Sequence, residues 1–134
     1  MEFSDPPTTW TSNQMGKTNS KTMQRSLKLL RGRGAYPYKS ESYNAFTHMS
    51  SDLYGWIDLT ALEPGVTGVL GVQTTTGTHI QARIRKAEKL RGYRMWLAQG
   101  NDAEFHGWRK IKAGRAVATW QPTIIRVTMK DLFS

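Results

Sequence analysis

Residues 80–97 read IQARIRKAEKLRGYRMWL, and the reading of this stretch decides the fold. Ile80, Ala82 and Ile84 alternate with Gln81, Arg83 and Arg85. Tyr93, Met95 and Leu97 alternate with Arg94 and Trp96. A period of two belongs to a half-buried strand. Ala82, Arg85, Lys86, Ala87 and Glu88 are good helix formers and compete for the same residues. The pattern predicts a strand to about Arg85, a turn or short helix to Arg91, and another strand over residues 93–97.

The same alternation extends on both sides. Leu53, Gly55, Ile57 and Leu59 alternate with Tyr54, Trp56 and Asp58, and Ile125, Val127 and Met129 with Arg126 and Thr128. Residues 66–72 form a β-rich apolar run. Turn signals punctuate these segments at Glu63-Pro64-Gly65, around Gly77, at Gly100-Asn101-Asp102 and at residues 112–114. Together they predict an all-β fold, a jelly-roll-like β-sandwich. Residues 1–24, rich in Thr, Ser, Asn and Pro, read as a flexible polar and basic arm. Residues 25–134 are then the β-sandwich binding domain. The segment QRSLKLL at residues 24–30 suits a short helix or a first strand, and Gly32 and Gly34 end it.

A chain of 134 residues fits one domain with its own core. With no cysteine, disulfides, thiolate metal sites and thiol catalysis are excluded. No run of about 18 apolar residues is present, so no transmembrane segment is expected. Residues 1–10 lack the basic and apolar regions of a secretory leader. The formal charge of +9 favours polyanionic partners: nucleic acid, sulfated glycan or acidic headgroups.

Between Asp5 and Glu41 there is no acid, and seven bases fall there. Lys17, Lys21, Arg25, Lys28, Arg31 and Arg33 make a candidate polyanion-binding arm. A solvated tail joined to the first strand explains the same residues. Residues 36–46, AYPYKSESYNAF from Ala35, gather Tyr36, Tyr38, Tyr43 and Lys39 in an expected loop. Tyrosine brings a rigid ring and a hydroxyl at low entropic cost. His79, Gln81, Arg83 and Arg85 would project from one face of one strand, donors about 7 Å apart along an extended acidic ligand. These eight residues are the candidate ligand site.

Catalytic signals are sparse. His48, His79 and His106 lack metal-ligand spacing, and no GxSxG, P-loop or GxGxxG occurs. Asp52, Asp58 and Glu63 lie close in sequence, but nothing in the sequence turns two carboxylates toward one cleft. The expectation is a non-catalytic module with no cofactor and no metal.

Taken in order, RSLKLLRGRGAY, LYGWIDLT, VTGVLGVQ, RGYRMWLAQGNDAEFHGWRKI and QPTIIRVTM resemble the strand blocks of the discoidin, or coagulation-factor C-type, family. They cover about residues 25–130. The chain departs from that family in lacking its paired cysteines and in having Gln73-Thr74-Thr75 where a Gln-Gly-Arg turn is usual. The resemblance implies a jelly roll that binds an anionic glycan, a matrix protein or a phospholipid membrane surface through loops at one end. On this chain those loops would be residues 36–46 and 73–79. It implies cell adhesion and an extracellular setting. Two alternatives use the charge instead. One is a small viral capsid or nucleic-acid-binding structural protein with a basic arm, in virion or cell and open to oligomer formation. The other is an OB-type barrel that stacks a single strand on Trp96 beside Arg83, Arg85 and Arg94.

Overall fold

The computed structural model of the chain describes residues 20–132, the side chains of Tyr43 and Ser50 excepted. Helix α1 (Lys21–Gly32) comes first, then β1 (Tyr36–Lys39) and a small hairpin of β2 (Ser42–Asn44) and β3 (Met49–Ser51). Strands β4 (Leu59–Leu62) and β5 (Leu70–Thr76) follow, then helices α2 (Ile80–Glu88) and α3 (Arg91–Ala98). Strands β6 (Asp102–Ile111) and β7 (Thr119–Val127) complete the order. The main sheet has five strands in the order β1-β4-β5-β6-β7, and β2-β3 pair only with each other. All neighbours are antiparallel except β5 and β6. A parallel pair needs a long crossover, and α2 with α3 supplies it.

Helix α1 forms because Met23, Ser26, Leu27 and Leu30 recur on one side at helical spacing. The Ser20 hydroxyl caps its start by accepting from the Met23 N–H. At its end Ala35 N–H donates to the Leu30 carbonyl and Gly34 N–H to that of Arg31. That is the Schellman pattern, and Gly34 adopts the positive φ of 86° it requires.

Side chains alternate across a strand, so the register assigns each face. Leu59, Ala61, Leu70 and Val72 lie on one face, where Met23 and Leu30 of α1 cover them. Ala103 and Phe105 lie on the other, where Ile80, Ala87, Tyr93 and Leu97 of α2 and α3 pack with Trp56 and Ile57. Trp56 and Trp96 press onto β5 at Gly71, where an added Cβ would sit 2.8 Å from the Trp56 ring. The architecture is therefore helix, sheet, helix.

The β-rich expectation stands: strand is the larger regular share, 36% against 32% helix. The second sheet of a sandwich is not present among the described residues; helices occupy both faces instead. The segment that decided the reading is helical. Ile80 and Ile84 are four apart, as are Tyr93 and Leu97, and that interval satisfies both a strand and a helix. The members that separate the two are Ala82 and Met95, which are exposed, and Ala87 and Trp96, which pack inward. The Leu53 alternation also fails as a strand: Tyr54 and Gly55 both have positive φ, and Trp56, Ile57 and Asp58 are buried in succession. The arm boundary moves too, since residues 21–24 begin α1; Lys17 lies outside the described residues.

Candidate metal and polyanion site

Helix α1 ties down the middle of the sheet through buried polar groups. His106 Nε2 lies 2.8 Å from Glu104 Oε1, His106 Nδ1 lies 2.8 Å from Ser26 Oγ, and Trp108 Nε1 donates to the same Oγ. Serine, histidine and carboxylate in series suggest a nucleophile with its base. Here all three are at most 2% exposed. The Ser26 oxygen is also engaged by the Trp108 indole, so the chain of bonds braces helix against strand and has no face for a substrate.

Glu104 leads outward to an ion-pair network. Arg33 Nη2 donates to its Oε2 at 2.8 Å and Arg126 Nη1 at 2.7 Å, and both arginines also reach Glu63. Arg126 further binds Asp102. Burial alone would raise the Glu104 carboxyl; the bonds from His106 and Arg33 outweigh it and hold it down at about 2. Arg126 is raised above its ordinary value, first by its bonds to Glu63. This network closes the sheet end where α1 finishes and β5 and β6 begin.

The opposite end differs. Oxygen atoms of Glu41, Asp52 and Asp58 all lie within 4.8 Å of one another. Glu41 immediately precedes β2 and Asp52 immediately follows β3, so the feet of the hairpin carry two of the three. Asp58 is anchored in the sheet: its N–H donates to the Val72 carbonyl, and its Oδ2 accepts the Thr74 N–H at 2.9 Å. Gln73, between those two β5 residues, is 5% exposed. Burial first, then the neighbouring Asp52, push the Asp58 carboxyl up to about 8, against the pull of the Thr74 N–H. Three carboxylates converging this closely are costly without a proton or a cation. An all-oxygen donor set of this kind suits a hard divalent ion such as Mg²⁺, Mn²⁺ or Ca²⁺.

The start of α1 reaches the same end, with Thr22 Oγ1 3.5 Å from Thr74 Oγ1. Arg25 lays its guanidinium 3.8 Å from the centre of the Trp120 ring. Arg109 rests its guanidinium against Gly77. None of Arg25, Lys28, Arg109, Lys110 or Lys112 is in an ion pair among the described residues.

The expected ligand residues are distributed differently. Tyr36, Tyr38 and Lys39 form β1, an edge strand, and not a loop; Tyr36 and Tyr38 are exposed and Lys39 half-buried. Tyr43 lies on β2 opposite Ser50, its side chain outside the described residues. His79 ends a 3-10 turn, and Gln81, Arg83 and Arg85 are exposed on α2. At about 100° per residue Gln81 and Arg85 share a side of that helix and Arg83 turns away, so the strand row does not form. Lys21, Arg25, Lys28 and Arg31 line α1, while Arg33 belongs to the ion-pair network. Sequence proximity grouped Asp52 and Asp58 with Glu63; the structure substitutes Glu41. Only the hairpin between them brings Glu41 near, and its three-residue strands gave no sequence signal.

Among the described residues no helix is long and apolar enough to cross a membrane. Comparison of the chain with protein-family models, with curated proteins and with solved structures gives no match.

Proposed function

We propose that this protein is a divalent-cation-dependent phosphodiesterase acting on nucleic acid. The observation that carries the reading is the convergence of Glu41, Asp52 and Asp58 at the sheet end where Arg25 and Arg109 are in no ion pair among the described residues. A protein of charge +9 draws a polyphosphate chain toward it. Carboxylates gathered there repel an anion unless a cation lies between. Glu41, Asp52 and Asp58 would hold the metal, which would supply Lewis-acid chemistry toward a phosphoryl oxygen and a more acidic water. Hydrolysis forms the bond from water oxygen to phosphorus and breaks that to the ester oxygen. The products are a phosphate monoester and a hydroxyl, one water proton ending on the leaving oxygen and the other passing to solvent. The reading departs from the expectation of a non-catalytic module.

The test is cleavage of labelled DNA and RNA with Mg²⁺ or Mn²⁺ against EDTA, for the wild type and for Asp58→Asn. Metal-dependent cleavage lost in Asp58→Asn is the expected result. Neither cleavage nor a metal-induced rise in melting temperature would sink the reading.

A second reading keeps the glycan or phospholipid ligand of the discoidin resemblance. It is favoured by exposed apolar groups on and beside the hairpin: Phe46 at 96% exposure, Met49 at 67% and Tyr54 at 59%. Sedimentation with anionic vesicles, compared for the wild type and Phe46→Ser, tests it.

A further inference from the structure

We infer that Arg25 and Trp120 form a stacking platform for one unpaired base of a nucleic-acid strand, a subsite that rests on the phosphodiesterase reading for its substrate.

Trp120 stands on the outer strand β7, 43% exposed, opposite Lys110 in the register. Large exposed indoles on an edge strand are a liability unless covered. Here the Arg25 guanidinium, reaching across from α1, lies 3.8 Å from the ring centre. Such a pair buries little apolar surface and adds little to the fold when exposed. Its value lies in recognition: the cation fixes the indole plane and neutralises a phosphate, and an exposed ring surface receives a base. Base–aromatic stacking of this kind tolerates any sequence, since every base has a π-face.

The surroundings favour a nucleic-acid strand over an acidic peptide or a second copy of the chain. Residues 107–127 contain Arg109, Lys110, Lys112, Arg115 and Arg126 and no acid. Helix α1 likewise has four bases and no acid. Of these bases only Arg126 is in an ion pair among the described residues, at the far end of β7. Two like-charged copies would repel across this surface. A uniform row of phosphates is what spaced, uncompensated cations match.

Position ties the platform to the carboxylates. Asp58 is bonded to Thr74 on β5, and Thr74 pairs with His106, which pairs with Ile124 on β7. Two strand spacings across, and four residues along from Ile124 to Trp120, put the indole on the order of 16 Å from Thr74. That span corresponds to about five nucleotides of a stacked strand at ~3.4 Å each. The platform therefore sets how far from the held base the phosphodiester meets the carboxylates.

The experiment measures binding in EDTA, where no cleavage occurs. A labelled single strand of about 16 nucleotides is titrated with wild type, Trp120→Ala, Trp120→Phe, Arg25→Ala and Asp58→Asn, each first checked for an unchanged melting profile. Trp120→Ala should weaken binding about tenfold, Trp120→Phe should restore most of it, and Asp58→Asn should bind at least as tightly as wild type. Intrinsic tryptophan fluorescence should be quenched by the single strand and not by a blunt duplex, and that quench should vanish in Trp120→Ala. Equal affinity of Trp120→Ala and wild type, or a quench that survives in Trp120→Ala, overturns the platform. Cleavage failing while this pattern holds sinks the phosphodiesterase reading alone. Cleavage persisting while the pattern fails sinks the platform alone.

Discussion

The two ends of the sheet handle charge in opposite ways. Where α1 finishes, Glu63, Asp102 and Glu104 meet Arg33 and Arg126, and each buried oxygen of Glu104 has a donor. Where α1 begins, carboxylates crowd carboxylates, and Arg25 and Arg109 are in no ion pair among the described residues. Matched charge is what a fold keeps for its own integrity. Mismatched charge is kept at a cost and points to something that arrives from outside. The contrast sets the matched end apart from the end that the proposed function uses.

The largest expected effect is at the paired end. Glu104→Gln leaves Arg33, Arg126 and His106 around a neutral amide and should cost about 3–5 kcal/mol in denaturant unfolding. A loss under about 1 kcal/mol would break the contrast. Ser26→Ala removes the oxygen that Trp108 and His106 share, and should cost about 2 kcal/mol with nucleic-acid affinity unchanged.

At the other end the sign reverses. The Asp58 carboxyl sits at about 8 when folded, against an ordinary value of 3.8. A raised carboxyl favours folding below pH 3.8 and loses that advantage as pH climbs to about 8. Asp58→Asn keeps an oxygen for the Thr74 N–H and should raise the melting temperature at pH 8, not at pH 3.5, in metal-free buffer at ~25 mM salt. It should also abolish the stabilisation of the wild type by Mn²⁺. Glu104 behaves oppositely: lowered from 4.5 to about 2, its contribution is complete above 4.5 and is lost as pH falls toward 2. An acid titration of stability should therefore be shallower in Glu104→Gln. The smallest effect is Lys112→Ala, expected to change stability by under about 0.5 kcal/mol yet lower the salt dependence of DNA binding by about one counterion.

The sequence made some of this legible. The late strand through Ile125 and Val127 and the basic surplus of residues 21–33 read as they are built; the apolar run of residues 66–72 meets β5 (Leu70–Thr76) only at its end, and residues 73–76, expected in a loop, continue that strand. The helices α2 and α3 were not legible, because their inward residues are four apart, Ala87 is no more apolar than the exposed Ala82, and Trp96 lies beside the exposed Met95. Strand β6 was obscured for another reason. Both its faces are buried, and on one of them the inward residues are Glu104 and His106, polar groups whose partners come from α1 some 80 residues earlier. The carboxylate trio was half visible as Asp52 and Asp58. Its third member depends on a hairpin fold-back that no local pattern announces.

That remoteness between Ser26 and its partners His106 and Trp108 has a bearing on synthesis. At roughly 5–20 residues per second, the first helix emerges several seconds before the strand it must clasp. During that interval Met23 and Leu30 find cover on β4 and β5, but the hydroxyl of Ser26 has only water and the far edge of β5 has no β6 to pair with. The nascent chain is thus exposed to mispairing until translation is nearly complete, and a pause or truncation before Trp108 should yield an aggregating product and not a folded fragment.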